Sequence, residues 1–155
     1  MRTKIPCFAA LSFMACLSFA AAQAAPQAPN EQVQFTVLRT GHTERRIERD
    51  IGSGETVYRA VDDFGEARID AIALDIGSVK YGEYRITDEE PLSARAETRW
   101  TQRVGRGTWR TRTETRTVMT ATKDAFLLHA ELDAYEGEKR VWSHNWERVV
   151  PRDLL

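Results

Sequence analysis

Residues 94 to 119 carry the pattern that most limits what this chain can become. Ala94, Ala96, Thr98, Trp100 and Val104 alternate with Arg95, Glu97, Arg99 and Arg103, and Gly105-Arg106-Gly107 interrupts the run. Beyond it Trp109, Thr111, Thr113, Thr115, Thr117 and Met119 alternate with Arg110, Arg112, Glu114 and Arg116. A two-residue repeat puts successive side chains on opposite faces of a strand, whereas a helix needs a repeat of 3.6. The density of Thr, Val and Trp suits a pleated surface. The segment predicts a long antiparallel hairpin with one mixed apolar face and one charged face.

The register of that hairpin follows from placing Trp100 and Trp109 on one face, which requires paired positions to sum to an odd number. A sum of 213 sets Glu97 against Arg116 and Arg99 against Glu114, whereas 211 sets like charges opposite each other, so 213 is expected, with Val104 opposite Trp109.

The same period recurs along the chain. Val33, Phe35 and Val37 alternate before Thr40-Gly41-His42. Ile47, Arg49 and Ile51 lead to Gly52-Ser53-Gly54, and Val57 to Val61 ends at Asp62-Asp63-Phe64-Gly65. Ile69 to Val79 suits either a strand or a short helix. Tyr81 to Ile86 reads as a strand closed by Asp88-Glu89-Glu90-Pro91. Phe126, Leu128, Ala130 and Leu132 mark another, which turns at Glu136-Gly137-Glu138 into a last strand from Val141 to Val150. About eight short strands in one domain predict an all-β fold, either a single antiparallel β-sandwich or a meandering β-barrel.

The N-terminus has a different character. Arg2 and Lys4 precede an apolar stretch from Ile5 to Phe19, and Ala22-Gln23-Ala24 offers a small-x-small cleavage site. This is the layout of a signal peptide at 1-24, too short in its apolar part for a bilayer-spanning helix. Ala25 to Glu31 forms a Pro/Gln-rich leader, 25-31, and 32-155 forms the β domain. Export to the periplasm or the extracellular space follows, with no transmembrane segment expected after cleavage. Lipidation at Cys16 is disfavoured, because Phe13 stands where an aliphatic residue is usual.

Both cysteines, Cys7 and Cys16, fall inside the signal, so the mature chain is expected to carry neither disulfide nor thiolate metal site. Without Arg2 and Lys4 the chain holds 20 basic and 23 acidic residues, a net of −3, which gives no drive towards nucleic acid.

Candidate chemistry is sparse. Ser53 lies in Gly52-Ser53-Gly54-Glu55, which lacks the spacing of a nucleophile elbow and reads as a turn. Ser78, Ser93 and Ser143 have no histidine nearby in sequence. His42, His129 and His144 form no paired metal motif, although His129 and His144 could approach across the last hairpin with Glu131 or Glu147. Asp62-Asp63 and Asp88-Glu89-Glu90 are assigned to turns. No catalytic residue, metal site or cofactor is expected, and the chain reads as a non-enzyme. Trp100, Trp109, Trp142 and Trp146 are assigned to core packing. Arg95, Arg99, Arg103, Arg106, Arg110, Arg112 and Arg116 outnumber Glu97 and Glu114. They form a candidate docking surface for an acidic partner, set against the plainer reading of a solvated, aggregation-resistant strand face.

Two stretches carry a resemblance. Asp88 to Trp100 runs into Gly105-Arg106-Gly107-Thr108-Trp109 and Thr113-Glu114-Thr115-Arg116-Thr117. Ala134-Tyr135-Glu136-Gly137-Glu138 is followed by Trp146-Glu147-Arg148 and Pro151-Arg152-Asp153-Leu154. With Gly54-Glu55-Thr56-Val57 and Val61 to Gly65, these resemble the C-terminal, non-catalytic β segment of X-Pro dipeptidyl-peptidase-like (CocE/NonD) hydrolases, over roughly Thr43 to Leu155. In that family a separate α/β-hydrolase domain carries the serine nucleophile, so no position here receives a catalytic role. The resemblance implies an accessory or interaction module, with a hydrolase or an envelope component as protein partner. The alternative expectation is a periplasmic barrel holding a small apolar or lipidic ligand.

Overall fold

A computed structural model describes residues 33–153. The expected signal peptide, the leader and both cysteines lie outside the described residues.

Those residues form one eight-stranded antiparallel sheet. Its strands are β1 (Phe35–Arg39), β2 (His42–Arg49), β3 (Glu55–Ile69), β4 (Leu74–Thr87), β5 (Glu90–Arg106), β6 (Trp109–Ala121), β7 (Ala125–Glu136) and β8 (Lys139–Pro151). The path is a meander in which β3 to β8 each pair with their chain neighbours, while β1 and β2 share the outer edge of β3. The ambiguous stretch resolves into a single 3-10 turn, Asp70–Ile72, that hands β3 to β4.

The expected eight-strand antiparallel character is present, but neither closure expected for it is. The pairing ends at β1/β2 on one side and at β8 on the other, so the sheet is open and not a barrel. All eight strands belong to this one sheet, so among the described residues there is no second sheet to make a sandwich. Alternation predicts two faces for each strand, but a face does not specify what lies over it.

The turn expected at Asp62-Asp63-Phe64-Gly65 is a bulge inside β3. The register with β4 shifts between Asp63 and Glu66, and the strand continues to Ile69. The reason is a close approach of two glycines. Gly65 has φ +75°, and a Cβ at Gly41 would stand 2.1 Å from the Asp63 carbonyl oxygen and 2.7 Å from the Gly65 nitrogen. Only a residue without a side chain fits at Gly41, where β1 gives way to β2. The Asp63 carboxylate secures the bulge by accepting hydrogen bonds from Gly65 N–H at 2.8 Å and from Arg39 at 2.5 and 2.9 Å.

The β5–β6 register also differs from expectation. Paired positions sum to 215, so Arg99 faces Arg116, Arg103 faces Arg112 and Arg106 faces Trp109. Turn chemistry decides this. The loop is the two-residue Gly107-Thr108, with Gly107 at φ +57°, and two-residue loops with a left-handed first residue match the twist of paired strands. The predicted parity survives, so Trp100 and Trp109 still share a face.

Candidate functional site

The two faces of the sheet differ sharply in what covers them. On one face the cross-strand row Arg59, Glu83, Glu97, Val118, His129 and Glu147 sits among alternating charges. On the other the row Tyr58, Tyr84, Ala96, Met119, Leu128 is apolar and ends at Arg148 on β8.

The charged face is the better buried of the two. Val57 and Val118 are the buried apolar side chains among the described residues, and by register both lie on this face, as does the buried Glu97. Three arginines converge on Glu97. Arg116 donates to it at 2.8 and 3.2 Å, Arg99 at 2.9 Å and Arg95 at 2.6 Å. These hydrogen bonds, led by that of Arg116, hold the Glu97 carboxyl far below its ordinary range despite burial. Directly opposite Glu97 on β4, Glu83 accepts from Arg59 at 2.9 Å, from Tyr81 at 2.7 Å and from Arg85. Those bonds lower its pKa to about 2.

The seven candidate docking arginines therefore divide. Arg95, Arg99 and Arg116 are committed to Glu97. Arg112 donates to Glu114 at 2.7 Å and lies over the Tyr135 ring, 4.1 Å from its centroid. Arg110 reaches the carbonyls of Gly107 and Trp109 and approaches Asp75 at 3.7 Å. Arg103 is exposed on the same face. Arg106 is not on it: the register carries it to the opposite face, beside Leu74, Val104 and Trp109. Like charges placed directly opposite in the 215 register are thus relieved by acids two residues away.

The apolar face carries the aromatic side chains that were expected inside a core. Trp100, Trp109, Trp142 and Trp146 keep 43, 45, 47 and 37 % of their surface accessible, and Phe35, Tyr84, Ile86 and Leu92 are exposed on the same face. The physical reason is the missing second layer within residues 33–153. Trp142, His144 and Trp146 cluster along β8, with His144 and Trp146 ring centroids 4.5 Å apart.

A groove of about 340 Å³ crosses this face along β5. Ala94 and Ala96 make its floor, Tyr58, Tyr84 and Ile86 one wall, and Met119 and Phe126 the other. Tyr58 and Tyr84 are stacked, with centroids 6.0 Å apart. Further along β5 the next row is small, Ala60, Gly82, Thr98, Thr117 and Ala130, and the row after it brings Asp62, Lys80, Trp100, Thr115 and Leu132 together. Asp62 is held by Arg45 at 2.5 Å, and Trp100 donates its indole N–H to Ser78 Oγ at 2.6 Å. Lys80 is exposed and forms no ion pair among the described residues. A second groove of about 430 Å³ lies beyond it, lined by Phe64, Ala67, Ile76, Val104 and Thr111.

No protein family, curated protein or solved structure compared with this chain matches it.

The remaining candidates scatter. His129 and His144 do not approach each other, because odd and even positions of the last hairpin lie on opposite faces. His129 instead meets Glu131 at 2.8 Å and Glu147 at 3.6 Å on the charged face. No group of three or more potential metal-ligating side chains occurs among the described residues. Ser53 sits in the turn between β2 and β3, where its Oγ accepts from Glu55 N–H and Asp50 accepts from Gly52 N–H and Ser53 N–H. Ser78 serves Trp100, and Ser93 Oγ accepts from Thr87 N–H. Lys80 stands between Val79 and Tyr81 with no motif around it in the sequence. Its parity with Tyr84 and Ile86 was the available signal.

Proposed function

We propose that this chain is an exported, non-enzymatic binding module that works through the apolar face of its sheet. One observation carries the reading: the tryptophans and most of the other exposed aromatic and aliphatic side chains of an eight-stranded sheet stand together on one face, while the opposite face is laced with cross-strand ion pairs. An exposed apolar surface of this extent is a site of association in a soluble protein, and sheets reach stable folds by covering such a face. The charged face supports a solvated surface, because most of its arginines are already engaged by Glu97, Glu114 and neighbouring carbonyls. A hydrolase or an envelope component remains the protein partner that the sequence resemblance suggests.

The test is binding of an environment-sensitive apolar dye to the purified protein. Strong dye fluorescence at full native ellipticity is expected, reduced at least tenfold in affinity by Ala96→Arg in the groove floor and unchanged by Arg103→Glu on the charged face. Trp100→Ala provides a second variant should Ala96→Arg not fold. Equal dye binding by all four proteins would remove the apolar face as the site.

A further inference from the structure

The groove and a lysine two rows further along the same face point to a ligand class, and this step rests on the binding reading above. We propose that the apolar face takes a single long-chain anionic amphiphile of the fatty-acid class, its carboxylate at Lys80 and its chain along β5 over Thr98, Ala96 and Ala94.

Three observations select this occupant over another sheet. First, Lys80 places an ammonium on this face between the row of Gly82, Thr98 and Thr117 and the row of Ser78, Gln102 and Thr113, and the acid directly opposite it, Asp62, is held by Arg45 at 2.5 Å. A dry sheet-on-sheet contact, as with a second copy of the chain, would bury this cation without a partner and would bury the Asp62–Arg45 pair with it, both unfavourable. An amphiphile brings the missing anion. Second, the groove has the shape of a chain. Small residues floor it, aromatic and aliphatic side chains wall it, and it lies near the start of β5, with the small row of Gly82 and Thr98 between it and Lys80. Third, the path has the right length: six residues separate Trp100 from Ala94, about 20 Å at roughly 3.3 Å per residue and of the order of an extended sixteen-carbon chain, with the groove proper taking its far part at Ala94 and Ala96. Trp100, paired with Lys80 across β4 and β5, is fixed by Ser78 and flanks the head group.

The experiment is calorimetric titration of the purified protein with hexadecanoate and, separately, hexadecyltrimethylammonium, both below their micelle concentrations, with sedimentation of the same samples. Hexadecanoate is expected to bind one per chain, and the cationic amphiphile at least tenfold more weakly. Lys80→Glu should weaken hexadecanoate at least tenfold and narrow or reverse that preference, while Ala96→Trp should weaken both. Equal binding of the two amphiphiles, unchanged by Lys80→Glu, would overturn the head-group assignment and leave the apolar face as the binding surface. Failure of both to bind a monomer that still takes up the dye would overturn the amphiphile and point to a protein partner. A stable dimer that excludes both would overturn it in favour of a second copy. Loss of dye binding as well would remove the underlying reading.

Discussion

Replacing Glu97 by glutamine tests what holds the charged face together. The substitution keeps the shape and removes the charge on which three arginines converge at 2.6–3.2 Å. Removing one partner of a buried ion pair costs about 3–5 kcal/mol when the other charge is stranded. Here the Glu97 side chain is 9 % exposed, but Arg95 and Arg116 are 35 % exposed and Arg99 is 61 % exposed. Water therefore takes over part of the arginine solvation, and a loss of about 2 kcal/mol is expected, well above the ~0–1 kcal/mol of a surface pair. By the same reasoning Arg99→Ala, which removes the most exposed of the three, should cost no more than about 0.5 kcal/mol.

Urea unfolding at neutral pH reads these values directly. With a slope of about 2 kcal/mol per M, the midpoint of Glu97→Gln should fall by about 1 M. The pH dependence supplies the sharper check. The folded pKa of Glu97 lies below its ordinary value of 4.5. Its contribution is therefore complete above about pH 4.5 and is lost as pH falls towards the folded value, where the unfolded chain takes up the proton first. The stability gap between the parent protein and Glu97→Gln should shrink below pH 4.5, while Asp63, two strands away in the β3 bulge, titrates in both proteins and cancels. A gap that stays constant down to pH 2.5, or a variant within 0.5 kcal/mol of the parent at pH 7, would show that the arginines are satisfied without Glu97.

Other outcomes follow from single features. Gly41→Ala forces a Cβ to 2.1 Å from the Asp63 carbonyl oxygen, so hydrogen exchange should show β1 and β2 released from β3 while β5 and β6 stay protected. Gly107→Ala meets no atom within 4 Å and keeps only the strain of φ +57°, so its cost in thermal unfolding should be about 1 kcal/mol. The four tryptophans should be quenched by acrylamide in the native protein nearly as well as in urea, because each is more than a third exposed.

The strands were readable because period-two alternation is a local property that survives in each segment on its own. Register was less so. Charge pairing favoured 213 for β5–β6, but a glycine-led two-residue turn prevailed, and the Arg116–Glu97 contact expected from direct pairing forms on the diagonal instead. The Gly41–Gly65 approach joins residues 24 positions apart and leaves no local pattern, so Phe64-Gly65 looked like a turn. The core assignment of the tryptophans assumed a covering layer that alternation cannot report. Lys80 was missed for a related reason: its meaning depends on Asp62 and Trp100, which only the strand pairing brings beside it.

The meander has a consequence for how the molecule comes apart. Apart from the pairing of β1 with β3, every strand bonds only to its predecessor and successor in the chain, so stability is distributed along one dimension as in a stack of repeats. Fraying should start at β8, whose residues are all exposed and whose outer edge has no partner among the described residues, and advance inward one hairpin at a time. Amide exchange should then slow in steps from β8 through β7 and β6 to β5, the strand furthest from either edge. With contacts this local, folding can nucleate at any of the tight turns and should be fast for an all-β chain of this length.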